Sequence, residues 1–220
     1  MVKLEKTVLP KCKVITKKSD YQNGPVFDQL YKDCHGKCYI CEDKPVPYVV
    51  EHIIAHKNDP MLEFDWNNML LGCMYCNSVK NKREYDDGII NPVKDDPEIY
   101  YLFQLSVIDQ KETVVIIKNV VKSVKVSIDK TCKLLNEVYN NDSRRFNQKL
   151  SSYNLKNRLS KQIKYFYLLV DNYKTEHDVE DFKKIMNEIS RKSEFAAFKR
   201  GIVRGDPELM KDFAEAFIEL

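Results

Sequence analysis

Apolar positions along the chain follow two different rhythms. Beyond about Ser127 they recur with helical period: Phe182, Ile185, Met186 and Ile189 stand at i, i+3, i+4 and i+7, and similar spacing marks Leu134, Leu135 and Val138 and then Phe213, Phe217 and Ile218. Gly201 and Gly205 with Pro207 are expected to end one helix and permit another. Before Ser127 the apolar runs are short and punctuated. "PVFDQLYKDCH" (25–35) predicts a short helix after an extended arm containing Pro10, "YVVEHIIAH" (48–56) has strand composition, and "NSVKNKREY" (77–85) predicts a second short helix. "DDGIINPVKDDPEIY" (86–100) is a turn-rich connector, and the residues from 100 to 120 form two β-rich runs around "DQKE", the pattern of a hairpin. The expected organisation is α+β in four segments. These are an arm with a short helix (1–35), a compact cysteine-paired module (36–87), a connector with a β-hairpin (88–126) and a helical C-terminal domain (127–220).

Composition narrows the class. Hydrophobic residues are 43% and charged residues 31% of 220, as expected for a soluble globular protein. No apolar run approaches the roughly 20 residues a membrane helix needs. The opening "MVKLEKTVLPKCKV" is basic but has no apolar stretch of the kind a secretory signal carries, so the expected location is the cytoplasm. The net charge of +3 is unevenly spread: residues 38–117 carry 7 cationic against 14 acidic side chains, and residues 118–176 carry 13 against 5. A polyanionic partner would explain the basic part, and so would the solvated faces of helices.

The cysteines change the picture more. Of seven, four form two CxxC pairs, Cys38/Cys41 and Cys73/Cys76; Cys12, Cys34 and Cys132 are left over, the last in a helical apolar pattern that makes it a small core residue. In a reducing compartment paired CxxC units read as metal ligands before disulfides, and four thiolates suit a closed, structural Zn²⁺ site. Between the pairs lie 31 residues that include "EHIIAH", and directly after the second pair stands Asn77. The Glu51 carboxylate and the Asn77 amide oxygen are hard ligands fit for Mg²⁺, and the His52 imidazole could take a proton from water. In a regular strand Glu51 and His52 point to opposite faces, so sharing one ion requires the backbone to bend there.

Together "GKCYIC" (36–41), "VEHIIAH" (50–56) and "FDWNNMLLGCMYCNSVKNK" (64–82) resemble the HNH, or ββα-metal, endonucleases framed by zinc knuckles, over about 50 residues. The resemblance implies a zinc-stapled ββα-metal module that hydrolyses phosphodiester bonds. In it His52 is the general base, Asn68 holds the loop bearing His52, Glu51 and Asn77 bind one catalytic Mg²⁺ or Mn²⁺, and Cys38, Cys41, Cys73 and Cys76 bind Zn²⁺. The sequence departs from the family pattern where Ala55 and His56 replace a common proline and basic residue. His56, Lys80, Lys82 and Arg83 are expected nucleic-acid contacts, with DNA favoured over RNA. The order of arm, knuckled module, connector with hairpin and helical tail resembles the HNH subunit of bacterial Septu and related retron anti-phage systems. That likeness implies an ABC-type ATPase partner.

Blander readings stand beside these. Two CxxC pairs also build a zinc ribbon without catalysis, or a catalytically silent nucleic-acid-binding or scaffolding protein, and a free-standing restriction or homing nuclease needs no ATPase. His35 and Cys34 could enter the zinc site; Asp86 and Asp87 suit a turn, Trp66 the core. The aromatic run 164–170 suits a buried or partner-facing helix surface better than base stacking.

Overall fold

A computed structural model describes residues 1–9, 14–44, 47–108, 111–118 and 126–218. Pro10, Cys12 and the central Asp109–Gln110 of the predicted hairpin turn lie outside them. The chain is mixed helix and sheet. Helices α1 (Lys18–Gln22) and α2 (Pro25–Asp33) lead to strand β1 (Tyr48–His52), a single helical turn α3 (Pro60–Glu63), strand β2 (Met69–Cys73) and helix α4 (Met74–Lys80). Strands β3 (Tyr101–Ile108) and β4 (Lys111–Lys118) follow, and then helices α5 (Val126–Tyr139), α6 (Phe146–Glu176), α7 (Val179–Ile189), α8 (Ala196–Arg204), α9 (Pro207–Asp212) and α10 (Glu215–Ile218). Among the described residues no helix is long and apolar enough to cross a membrane.

The sheets are two antiparallel pairs. β1 and β2 align Tyr48 with Cys73 through His52 with Met69, and β3 and β4 align Tyr101 with Lys118 through Ile108 with Lys111. Periodicity does not signal β2, because α2 packs against it from one direction and α4 from another, all five residues are buried, and "MLLGC" has no polar face to alternate with. Gly72 is needed there: a Cβ at that position would meet Glu51 Cβ at 3.0 Å.

After Cys73 the chain reverses into α4. Seven helical residues rise about 10 Å while five strand residues span about 16 Å. The C-terminal turn of α4 therefore returns toward the end of β1 that carries Glu51 and His52, and a lysine side chain covers the remaining distance. Glu51 and His52 are both paired with β2 in regular strand, and the backbone bends only after them, at Ile53 and Ile54, so the bend expected between the two residues for a shared ion is not found there.

The largest core draws buried side chains from all four predicted segments, including Leu4, Ile40, Leu71, Phe103, Leu135 and Phe198. A second core packs the C-terminal half of α6 (Phe166, Leu169, Val170, Tyr173) against α7, α8 and α9. The helical spacings at Leu134 and Phe182 correspond to α5 and α7, but Gly201 does not end a helix. It sits inside α8, where a Cβ would meet the Phe103 carbonyl oxygen at 3.1 Å, so its small size lets β3 approach the helix. Gly205 is the C-cap of α8, and Pro207 opens α9. Glu98, buried in the connector, receives Arg200 Nε and Arg204 Nη1, each at 2.7 Å, and ties the connector to α8.

Candidate metal centre and adjoining cleft

Cys38 and Cys41 lie in a tight turn closed by Glu42 N–H donating to the Cys38 carbonyl at 2.8 Å and Cys38 N–H donating to the Asp43 carbonyl at 2.9 Å. Cys73 ends β2 and caps α4, its sulfur accepting from Cys76 N–H at 3.3 Å. All four cysteines are buried and their sulfurs lie within 4.8 Å of one another, close enough to bind a metal ion. A tetrahedral ion with bonds of about 2.3 Å sets its sulfurs about 3.8 Å apart, so a small contraction completes the fit, consistent with structural zinc. Burial pushes the Cys41 and Cys76 thiols well above their ordinary range, while hydrogen bonds from the other thiols pull Cys73 down. An ion bound by all four takes them as thiolates and so displaces the protons they carry. Cys34 is buried nearby with its thiol pushed up to about 12 by desolvation, and neither it nor His35 belongs to the four-sulfur cluster.

The first cysteine turn is tied to the cleft beyond it. Tyr39, between the two knuckle cysteines, donates its hydroxyl proton to Glu51 Oε2 and its N–H to the Leu71 carbonyl at 3.0 Å. Glu51 is 5% exposed, and its other oxygen lies 2.7 Å from Lys80 Nζ, which also donates to the His52 carbonyl at 2.8 Å. Burial raises the Glu51 pKa, and Lys80 and Tyr39 act against that rise by stabilising the anion. Lys80, expected on the surface as a nucleic-acid contact, is instead 5% exposed and committed to this pair. The helical spacing that puts it on the Asn77 side of α4 also aims it at Glu51, and a buried carboxylate without a counter-charge would be costly.

His52 is half-buried. Its Nε2 lies 2.9 Å from the Glu63 carbonyl, and its ring packs edge-on to Tyr21 at 5.5 Å and tilted against His56 at 4.9 Å. A carbonyl only accepts, so Nε2 carries the proton and Nδ1 keeps its lone pair. Burial lowers the imidazole pKa, which keeps the ring neutral.

Asn68 is 4% exposed and uses its whole amide. Oδ1 accepts from Ile54 N–H at 2.8 Å, and Nδ2 donates to the Ile54 and Leu62 carbonyls at 2.9 and 3.0 Å, which fixes the bend after His52. The turn Trp66–Asn68 is gripped in its turn by the N-terminal arm. Trp66 Nε1 donates to the Thr7 carbonyl at 2.9 Å, and Lys6 donates to the Trp66 and Met69 carbonyls with its ammonium 4.0 Å from the indole centroid. Desolvation brings Lys6 down to about 8.

Glu51, His52, His56, Asn77, Lys80 and Asn81 border one cleft of about 690 Å³. The Asn77 amide has no hydrogen-bond partner among the described residues. No family model, curated protein or solved structure matches this chain. What the site can do therefore rests on its own geometry.

Of the remaining expected contacts, His56 Nδ1 accepts from Asn58 N–H at 3.2 Å and lies 3.7 Å from Glu63 Oε2. Lys82 pairs with Glu137, and Arg83 is exposed. Asp86 pairs with Lys57 at 2.8 Å and Asp87 with Lys130 at 2.8 Å. Trp66 is buried, though its role extends beyond packing through the contacts to the arm. The residues that the sequence reading missed are Tyr39 and Tyr21. The first lies inside the CxxC unit "CYIC", where an interior tyrosine beside a metal turn was an available signal; nothing local marks the second.

Proposed function

We propose that the chain is a metal-dependent HNH endonuclease that hydrolyses nucleic-acid phosphodiester bonds, with DNA as the favoured substrate. The observation that carries the reading is His52: its Nε2 proton is held by a backbone carbonyl, leaving the Nδ1 lone pair free on a ring that lines the same cleft as the unpaired Asn77 amide and the Glu51 carboxylate. Such an imidazole can take a proton from the attacking water. The donor set suits a hard cation, since Glu51 keeps a lone pair on each oxygen beyond those used by Lys80 and Tyr39, and Asn77 offers an amide oxygen. Bound there, Mg²⁺ or Mn²⁺ would supply stabilisation of charge on the scissile phosphate and the leaving oxygen. The four cysteines would hold Zn²⁺ as a scaffold ion that fixes α4, and so Asn77, against β1. The resemblance to the HNH subunit of Septu and retron anti-phage systems supports an ABC-type ATPase as partner and a cytoplasmic defence role.

One observation favours a second reading. Lys80 already neutralises Glu51, as suits a zinc-stapled nucleic-acid-binding or scaffolding protein that does no chemistry. Purified protein with Mg²⁺ or Mn²⁺ is to be incubated with plasmid DNA and with RNA, alone and with any ABC-type ATPase found encoded beside it. Cleavage by the wild type that disappears in folded His52→Ala supports the nuclease. If the wild type leaves both substrates intact under every condition, the silent reading replaces it. Cleavage without any ATPase would point to a free-standing nuclease.

A further inference from the structure

A second groove of about 740 Å³, lined by polar and charged residues, adjoins the cleft and shares Asn81 with it. It runs between the C-terminal turn of α4, the end of α5 and the start of α6. Ser78, Asn81, Lys82, Lys133, Arg145 and Gln148 are among its lining residues. From the nuclease reading above, on which this inference rests, we infer that the groove carries the phosphate backbone of a nucleic-acid duplex as it leaves the cleft.

Three observations support a duplex backbone as the occupant. First, Asn81, four residues on from Asn77, borders both the cleft and the groove, so a polymer whose phosphate lies at Asn77 can pass over the end of α4 into it. Second, its charge is complementary. Lys82, Arg83, Lys133, Arg144, Arg145 and Lys149 stand in or beside it against Glu84, Glu137 and Asp142, and the arginines at 144 and 145 have no ion pair among the described residues. Third, among the described residues no aromatic ring lines it. Strands held single are gripped by stacking their bases on aromatic side chains, whereas a duplex presents phosphates to cations, amides and hydroxyls.

The test measures binding separately from cleavage. A fluorescein-labelled 30-base-pair duplex is titrated with folded His52→Ala protein at several salt concentrations, and again with Arg145→Glu and Lys133→Glu added singly in that background; circular dichroism checks each fold. Each charge reversal is expected to weaken binding at least tenfold and to reduce the slope of log K against log salt by about one. Unchanged affinity and slope in both variants would overturn the groove, as would tighter binding of a single strand than of the duplex, or no duplex binding at all. If the reversals weaken binding but the wild type never cleaves, the groove stands and the nuclease reading falls. If the wild type cleaves and the reversals bind normally, the reverse holds.

Discussion

Replacing Lys80 by methionine removes the counter-charge of Glu51 while keeping a side chain of similar length. Both partners are 5% exposed and their charged atoms lie 2.7 Å apart, so the Glu51 anion would be left buried with only the Tyr39 hydroxyl. Breaking a buried pair from one side costs about 3–5 kcal/mol. The His52 carbonyl also loses its donor, adding about 1 kcal/mol. For a chain of this size that corresponds to a fall in Tm of roughly 10–20 °C. The cost should depend on pH. Burial already places the Glu51 pKa above its unfolded value, and without Lys80 it rises further. A carboxyl whose folded pKa is raised binds its proton better when folded, so its contribution is favourable below the unfolded value and is lost as pH rises through the folded one. Urea unfolding followed by circular dichroism from pH 5 to pH 8 should therefore show a deficit in Lys80→Met that grows with pH. The double variant Glu51→Gln/Lys80→Met should recover part of it. A deficit below about 1 kcal/mol, flat across that range, would refute the buried pair.

Asn68→Ala leaves the Ile54 N–H and the Ile54 and Leu62 carbonyls without partners, and should lower unfolding free energy by about 3 kcal/mol, read by the same urea titration. Elemental analysis should find one zinc per chain, lost together with native circular dichroism on strong chelation; a metal-free protein of unchanged Tm would contradict the four-cysteine centre. Trp66→Phe keeps the ring but deletes the bond to Thr7, so it should cost about 1 kcal/mol and speed proteolysis of the N-terminal arm. Because burial lowers the His52 pKa, any cleavage should rise with pH below the ordinary histidine range and be flat above neutrality, and an optimum set by a basic group of pKa near 9 would exclude His52 as the base.

Local spacing determined much of this protein. Two CxxC units already pointed to a four-sulfur centre, because each such turn brings its own two sulfurs together. Helical period located α5 and α7, and turn residues located the β3–β4 hairpin. Asn77 directly after Cys76 and the Glu51–His52 pair stood out by residue type, and the structure places all three at one cleft. Tertiary structure decided what those groups do. Lys80 lies one helical turn from Asn77 and reads from sequence as a surface cation. Only the reversal of α4 across β1 sets it on Glu51, and only burial makes that pair obligatory. Gly201 reads as a helix stop until β3 is seen pressing on α8, and β2 has no period because both its faces are covered. Tyr39 reaches Glu51, Tyr21 reaches His52 and Lys6 reaches Trp66 across gaps of 12 to 60 residues. Periodicity reports only which face of an element is buried, whereas the partner that covers it is chosen by the packing of the whole chain.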